Sequence, residues 1–156
     1  MTKILFVCHG NICRSPMAEF LMKELVCDRG LQSDFYIESA ATSTEEIGNG
    51  VYPPVKRILA SHGIDCSGKR ARQMTRDDYD KFDYIVCMDG QNLRNMGYIA
   101  QDTQGKYSRL LDYTNTPHDV ADPWYSGDFA TTEREVQKGC IALLEYISNS
   151  KTNREI

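Results

Sequence analysis

Short apolar runs alternate along this chain with stretches whose apolar residues recur every three to four positions, the pattern of strands alternating with helices. Ile4, Leu5, Phe6 and Val7 form an unbroken apolar run that reads as a short buried strand, followed by a tight loop through Gly10 and Asn11. Residues 16–27 carry Ala18, Leu21, Met22 and Leu25 on one helical face and end near Arg29 and Gly30. Residues 35–40 have the propensities of a second parallel strand, and residues 41–46 read as a loop. Pro53 and Pro54 can start a helix with Val55, Ile58 and Leu59 that stops at His62 and Gly63. Thr75 can cap a short acidic helix through Asp80. Residues 84–88 give a third buried strand, and Asp89 caps a helix running to about Tyr98.

A shorter fourth strand is predicted over residues 107–113, then a long turn-rich loop over 114–129. Thr132, three positions before Glu135, reads as a capping box for a last helix burying Val136, Cys140, Leu143, Leu144 and Ile147. Residues from 149 onward read as frayed, which makes 1–149 one domain and 150–156 a tail. Strands alternating with helices predict an α/β fold: a single domain with a four-stranded parallel sheet and helices on both faces.

Composition narrows what such a domain does. Its 156 residues are 41% hydrophobic and 26% charged, ordinary for one globular unit. A net charge of -4 gives no electrostatic support for nucleic acid or an anionic membrane surface, so any anion must be attracted locally. There is no signal-peptide pattern and no apolar run of spanning length, so the expected compartment is the cytoplasm. The six cysteines are scattered and are expected to stay reduced. Cys8, His9 and Cys13 lack the second short-spaced pair of a zinc site, so neither metal nor cofactor is expected.

The candidate chemistry lies between the first strand and the first helix. A loop leading into a helix amino terminus gathers unpaired N–H groups at the positive end of the dipole, a cradle for a phosphate or sulfate ion. Cys8 stands at its mouth, where those donors favour the thiolate. Arg14 adds a planar fork that fits two phosphoryl oxygens at once. The loop thus offers a nucleophile together with a phosphate-binding stretch of His9, Gly10, Asn11, Ile12, Cys13 and Arg14. Read alone, Asp122-Pro123 is a common turn pair, and Ser15 is sufficiently explained as a helix cap.

Cys-x5-Arg resembles the signature of protein tyrosine phosphatases, and residues 7–15, Val-Cys-His-Gly-Asn-Ile-Cys-Arg-Ser, resemble the low-molecular-weight family. The resemblance covers nearly the whole chain. It implies hydrolysis of phosphotyrosine in proteins and of small aryl phosphates through a phosphocysteine on Cys8, without metal or cofactor. It implies Asp122 as general acid and then base, and Ser15 as the donor that stabilises the leaving thiolate. His62, before a glycine, is expected to bond Asn11 and support the loop. His9, Glu45, Trp124 and Tyr125 are expected to wall the substrate. His9 and Glu45 depart from the apolar or aromatic residues of many relatives, so peptide preference is expected to differ. Cys13 could trap oxidised Cys8 as a disulfide.

Three alternatives stay open. A protein-arginine phosphatase shares the scaffold, although Ile12 resembles the phosphotyrosine enzymes, where arginine phosphatases carry threonine. A thioredoxin-coupled arsenate reductase needs further cysteines near the third strand, and Cys87 has no such neighbour. A non-catalytic phosphotyrosine-binding module would use the cradle alone.

Overall fold

The computed structural model describes residues 1–155, with side chains described through Lys151. Four strands, β1 (Thr2–Cys8), β2 (Phe35–Ala41), β3 (Tyr84–Cys87) and β4 (Tyr107–Arg109), form one sheet in the order β2-β1-β3-β4. All three pairings are parallel. Helices α1 (Arg14–Asp28), α2 (Pro53–Ser61), α3 (Arg76–Lys81), α4 (Gly90–Ile99), α5 (Pro123–Ser126) and α6 (Phe129–Glu155) supply the connections and the closing segment.

The alternation of side chains along β1 divides the core. Ile4, Phe6 and Cys8 pack with apolar residues of α1, α2 and α6, while Leu5 and Val7 face Met74, Tyr79, Phe82 and Met96 on the opposite side. Helices therefore cover both faces, and Ile4, Leu5, Phe6 and Val7 are fully buried, each worth roughly 1.5–3 kcal/mol of transfer free energy. The register sets Cys8 beside Ala41 and Val7 beside Cys87, which brings the carboxyl ends of the three longer strands to one edge. Because β2 and β3 flank β1 on opposite sides, the chain reverses its winding there. A crevice opens at such a switch point, between the loops that follow β1 and β3.

Four local expectations are corrected. The fourth strand ends at Arg109, because Asp112 accepts the Arg109 N–H (2.9 Å) and its Nε–H (3.0 Å), turning residues 110–113 into a 3-10 helix. That turn drives the buried Leu110 against Gly139 of α6, where a β-carbon would collide with it. The long loop contains α5, stopped by Gly127 in the left-handed region (φ 72°). The last helix begins at Phe129 rather than at a Thr132 cap. The Asp128 carboxylate takes the N–H and hydroxyl of Thr131 (3.0 and 2.6 Å), and Thr132 is fully buried in the first turn. Finally, α6 runs on through Glu155 where fraying was expected from 149; Ile156 lies outside the described residues. No helix among the described residues is long and apolar enough to cross a membrane.

Candidate active site

Cys8 ends β1 and lies at the floor of a cleft of about 630 Å³, lined also by His9, Gly10, Ile12, Cys13, Arg14, Asp122, Trp124 and Tyr125. Although Cys8 is only 4% exposed, it lines that cleft, the arrangement expected of a nucleophile met by one substrate group. The backbone N–H of Asn11 donates to Sγ (3.3 Å), and the Ser15 hydroxyl lies 3.0 Å from it. The Ser15 oxygen accepts from Asn11 Nδ2 (2.8 Å), and its one hydrogen faces two acceptors, the Cys8 sulfur at 3.0 Å and the Ala40 carbonyl at 3.5 Å. Ser15 sits inside the first turn of α1, whose N-cap is Cys13, so its role as a helix cap is replaced by this contact.

Asn11 is the residue that shapes the loop. It holds φ at +60°, a left-handed conformation costly for a non-glycine residue unless its surroundings fix it. The fixing groups are its own amide partners. Nδ2 donates to Ser15 and to Ser39 (2.8 and 2.9 Å), while Oδ1 accepts the N–H of Arg72 (3.2 Å). Ser39 in turn donates to the buried carboxylate of Glu19 (2.6 Å), which is flanked by Lys23 (2.6 Å) and Lys69 (3.4 Å). Lys69 also donates to the Ser39 carbonyl (2.8 Å), and burial pulls its ammonium below the ordinary lysine range despite Glu19. The loop carbonyls are engaged from outside: Cys8 by Thr42 N–H, His9 by Ser43 N–H and hydroxyl, Ile12 by Tyr52 N–H.

His62 is not part of this scaffold. Its Nε2 meets Glu133 (3.0 Å) and its Nδ1 meets Glu24 (3.4 Å), so it ties the end of α2 to α6 and α1. Its hydrogen bond to Glu133 outweighs burial and raises its proton affinity, with Glu24 adding to the effect. The polar support behind Asn11 comes from Ser39, Glu19 and Lys69 instead, residues 28, 8 and 58 positions away in the chain.

Arg14 is 3% exposed, and its fork is held on both sides. Nη1 donates to the Val120 carbonyl (2.9 Å), and Nη2 meets Asp89 at 2.9 Å and Asp122 at 3.4 Å. Burial works against its charge, but Cys8, Asp122 and Asp89 together push the guanidinium's proton affinity up. Asp89 divides its carboxylate. Oδ1 accepts the Asn92 N–H at the start of α4 (2.8 Å), and Oδ2 steadies Arg14. The sequence shows the first role by its cap position, whereas the second depends on β3 lying next to β1.

The other wall comes from the segment before and within α5. Asp122 accepts the Trp124 N–H on Oδ1 (3.0 Å) and presents Oδ2 to Arg14 and the cleft. Trp124 leans on Tyr52 (ring centroids 5.1 Å apart), which stacks on Phe129, while Tyr125 is 87% exposed. Across the cleft, His9 Nε2 pairs with Glu45 (3.0 Å), so the two side chains form a single unit at the rim. Cys13 is buried, and burial together with the nearby Cys8 and Asp122 pushes its thiol up to about 12. Every predicted site residue except His62 therefore gathers around this loop and cleft. Among the described residues no group of three or more His, Cys, Asp or Glu side chains is arranged to hold a metal ion.

Comparison with known proteins gives the same direction. Residues 3–153 match the family described as low molecular weight phosphotyrosine protein phosphatase. The low molecular weight protein-tyrosine-phosphatase YfkJ of Bacillus subtilis is 38% identical over 154 residues, 97% of this chain and 99% of that one. Its crystal structure superposes with a TM-score of 0.93, covering 97% of each chain. The low molecular weight phosphotyrosine protein phosphatase of Gallus gallus is 42% identical over 151 residues, 91% of this chain and 93% of its own. A Drosophila arginine phosphatase is also similar, with a TM-score of 0.84 at 30% identity over 94% of this chain and 98% of that one.

Proposed function

The chain belongs to the low molecular weight phosphotyrosine protein phosphatase family and is a phosphotyrosine hydrolase; from that premise we propose a division of labour among its own residues. Cys8 attacks phosphorus, and the bond to the aryl oxygen breaks as Asp122 gives that oxygen its proton. Arg14 and the loop amides hold the equatorial oxygens, where charge persists through a loose transition state. In the second half Asp122 takes a proton from water, water attacks the phosphocysteine, and Ser15 donates to the departing Cys8 sulfur. Phosphate leaves and the enzyme is restored. The single observation that carries this reading is the convergence of Asn11 N–H and Ser15 hydroxyl on Sγ, with Arg14 and Asp122 in the same cleft.

Trp124 and Tyr125 are assigned to flank the phenyl ring, and the His9–Glu45 pair to meet the residues beside it. The substrates are then phosphotyrosine-containing proteins. Hydrolysis of a phosphotyrosine peptide, compared with a phosphoarginine peptide and with Cys8→Ser as control, tests the assignment. Turnover of the first, little of the second and none by the variant is expected. Preference for phosphoarginine would shift the reading to the substrate of the Drosophila relative, and binding without turnover would leave only a phosphotyrosine-binding module.

Peroxide would convert the Cys8 thiolate to a sulfenic acid, and Cys13 would condense with it, forming a disulfide and releasing water. Burial holds the Cys13 thiol above its ordinary range even without the charge of Cys8, so disulfide closure quickens as pH rises. Recovery by dithiothreitol after peroxide in wild type and poor recovery in Cys13→Ser are expected; equal recovery would remove Cys13 from this role.

A further inference from the structure

The two residues before Asp122 are held more completely than their exposed surroundings suggest. The Val120 N–H donates to the Met88 carbonyl (2.8 Å) at the end of β3. In the next peptide group, the Val120 carbonyl accepts from Arg14 Nη1 (2.9 Å) and the Ala121 N–H donates to Glu135 Oε1 (2.9 Å). The Ala121 carbonyl, in the peptide group that leads into Asp122, accepts from the Thr132 hydroxyl (2.8 Å). Both Glu135 and Thr132 stand in the first turns of α6. One peptide plane is therefore gripped on its oxygen by the phosphate-loop arginine and on its hydrogen by Glu135.

The second oxygen of Glu135 is also occupied. His118 Nε2 lies 2.6 Å from Oε2, and His118 Nδ1 faces the Thr116 carbonyl. Two acceptors facing two ring nitrogens can both be satisfied only if both nitrogens carry hydrogen. The pull of the Thr116 carbonyl and of Glu135 raises His118 above the ordinary imidazole range, although Arg109 opposes it. Glu135 thus closes a bridge from α6 to residues 118 and 121, on the chain side that enters Asp122.

The geometry assigns Glu135 as a positioning residue for proton donation: its carboxylate fixes the Ala121 N–H, and through His118 the approach of the chain, so that Asp122 projects from a stem of set direction. The assignment rests on the reading of Asp122 as the general acid. It differs from a purely structural role for Glu135, because a misplaced acid harms substrates in proportion to how badly their leaving oxygen needs a proton.

The test is kcat/KM across a series of aryl phosphates from p-nitrophenyl to phenyl phosphate, measured for wild type, Asp122→Ala, Glu135→Ala, Glu135→Gln and the Asp122→Ala, Glu135→Ala double variant. This quantity reports the first chemical step, in which the leaving group departs. Glu135→Ala is expected to lose about tenfold more on phenyl than on p-nitrophenyl phosphate, a fraction of the roughly hundredfold differential expected for Asp122→Ala. Glu135→Gln keeps an oxygen for Ala121 and so falls between wild type and Glu135→Ala. The double variant should be no more leaving-group dependent than Asp122→Ala, because one residue acts through the other. Equal losses on all substrates for both folded Glu135 variants, with Asp122→Ala still selective, overturn the assignment and leave Asp122 as the acid. If Asp122→Ala itself is not selective, the acid reading fails as well. Should Glu135→Ala not fold, Glu135→Gln decides alone by the same criterion.

Discussion

The phosphate loop and the segment that carries Asp122 face each other across one cleft, yet they are built on opposite plans. In the phosphate loop Cys8, Asn11, Cys13, Arg14 and Ser15 are buried and locked from beneath: Asn11 is held by three side-chain bonds, Ser39 and Glu19 continue the lock, and Arg14 is fixed by Asp89. Residues 118–126 are held most firmly at their stem, by Met88, Arg14, Glu135 and Thr132 and by the bonds of Asp119 to Gly90 and Arg109, and end in the exposed rings of Trp124 and Tyr125. The difference follows the chemistry each side serves. Stabilising phosphoryl charge requires dipoles that do not reorganise, whereas gripping varied phosphopeptides requires surface that solvent and substrate can reach. Damage to the first side should fall on all substrates alike, and damage to the second should depend on the substrate.

Arg14→Lys should show the largest loss, about 10³-fold in kcat/KM on every aryl phosphate, since an ammonium cannot hold Asp89 and two phosphoryl oxygens together; the freed Val120 carbonyl adds only a smaller, leaving-group-dependent part. A loss confined to poor leaving groups would break the contrast. Asn11→Ala removes the groups that hold a left-handed residue, and a uniform loss of about 10²-fold is expected, with about 2–3 kcal/mol of stability lost in denaturant titration. Asp122→Ala belongs to the other side. A loss of about 10²-fold on phenyl phosphate, and much less on p-nitrophenyl phosphate, is the expected kinetic signature.

Trp124→Ala should sharpen the contrast further by raising KM for phosphotyrosine peptides about fivefold with little change in kcat, because the ring is propped by Tyr52 at the cleft wall and is assigned to the phenyl ring of the substrate rather than to phosphorus. The smallest effect concerns neither side. His62 has its proton affinity raised by Glu133 and Glu24, so its contribution is complete below the ordinary imidazole value of 6.5 and is lost as pH rises through the raised one. The melting temperature of His62→Gln should fall below wild type by at most about 3 °C under mildly acidic conditions and converge with it in alkali. A difference that grows with pH would reverse the sign of that coupling.

What the sequence revealed follows the same division. The loop was legible because its parts are contiguous: an apolar strand, Cys8, Asn11, Arg14 and Ser15 lie within a dozen residues, and their spacing carries the chemistry. Asp122 was legible only with the family resemblance, since Asp-Pro alone marks a turn. The support behind the loop was misassigned to His62, because no local pattern tells which distant side chain will lie beneath Asn11. That is settled by β2 pairing with β1, which brings Ser39 alongside, and by the chain returning through Lys69 and Arg72. The second role of Asp89 and the clamp of Glu135 escaped for the same reason: each residue already had a sufficient local explanation, one as a helix cap, the other as half of a capping box.

The account stands on Cys8 as the atom that receives the phosphoryl group. Wild-type enzyme mixed with p-nitrophenyl phosphate, quenched in acid during turnover and analysed by intact mass and peptide mapping, should carry one phosphoryl group on the Cys8 sulfur, with none on Cys8→Ser. A phosphoryl group on another residue, or hydrolysis retained by Cys8→Ser, would contradict it.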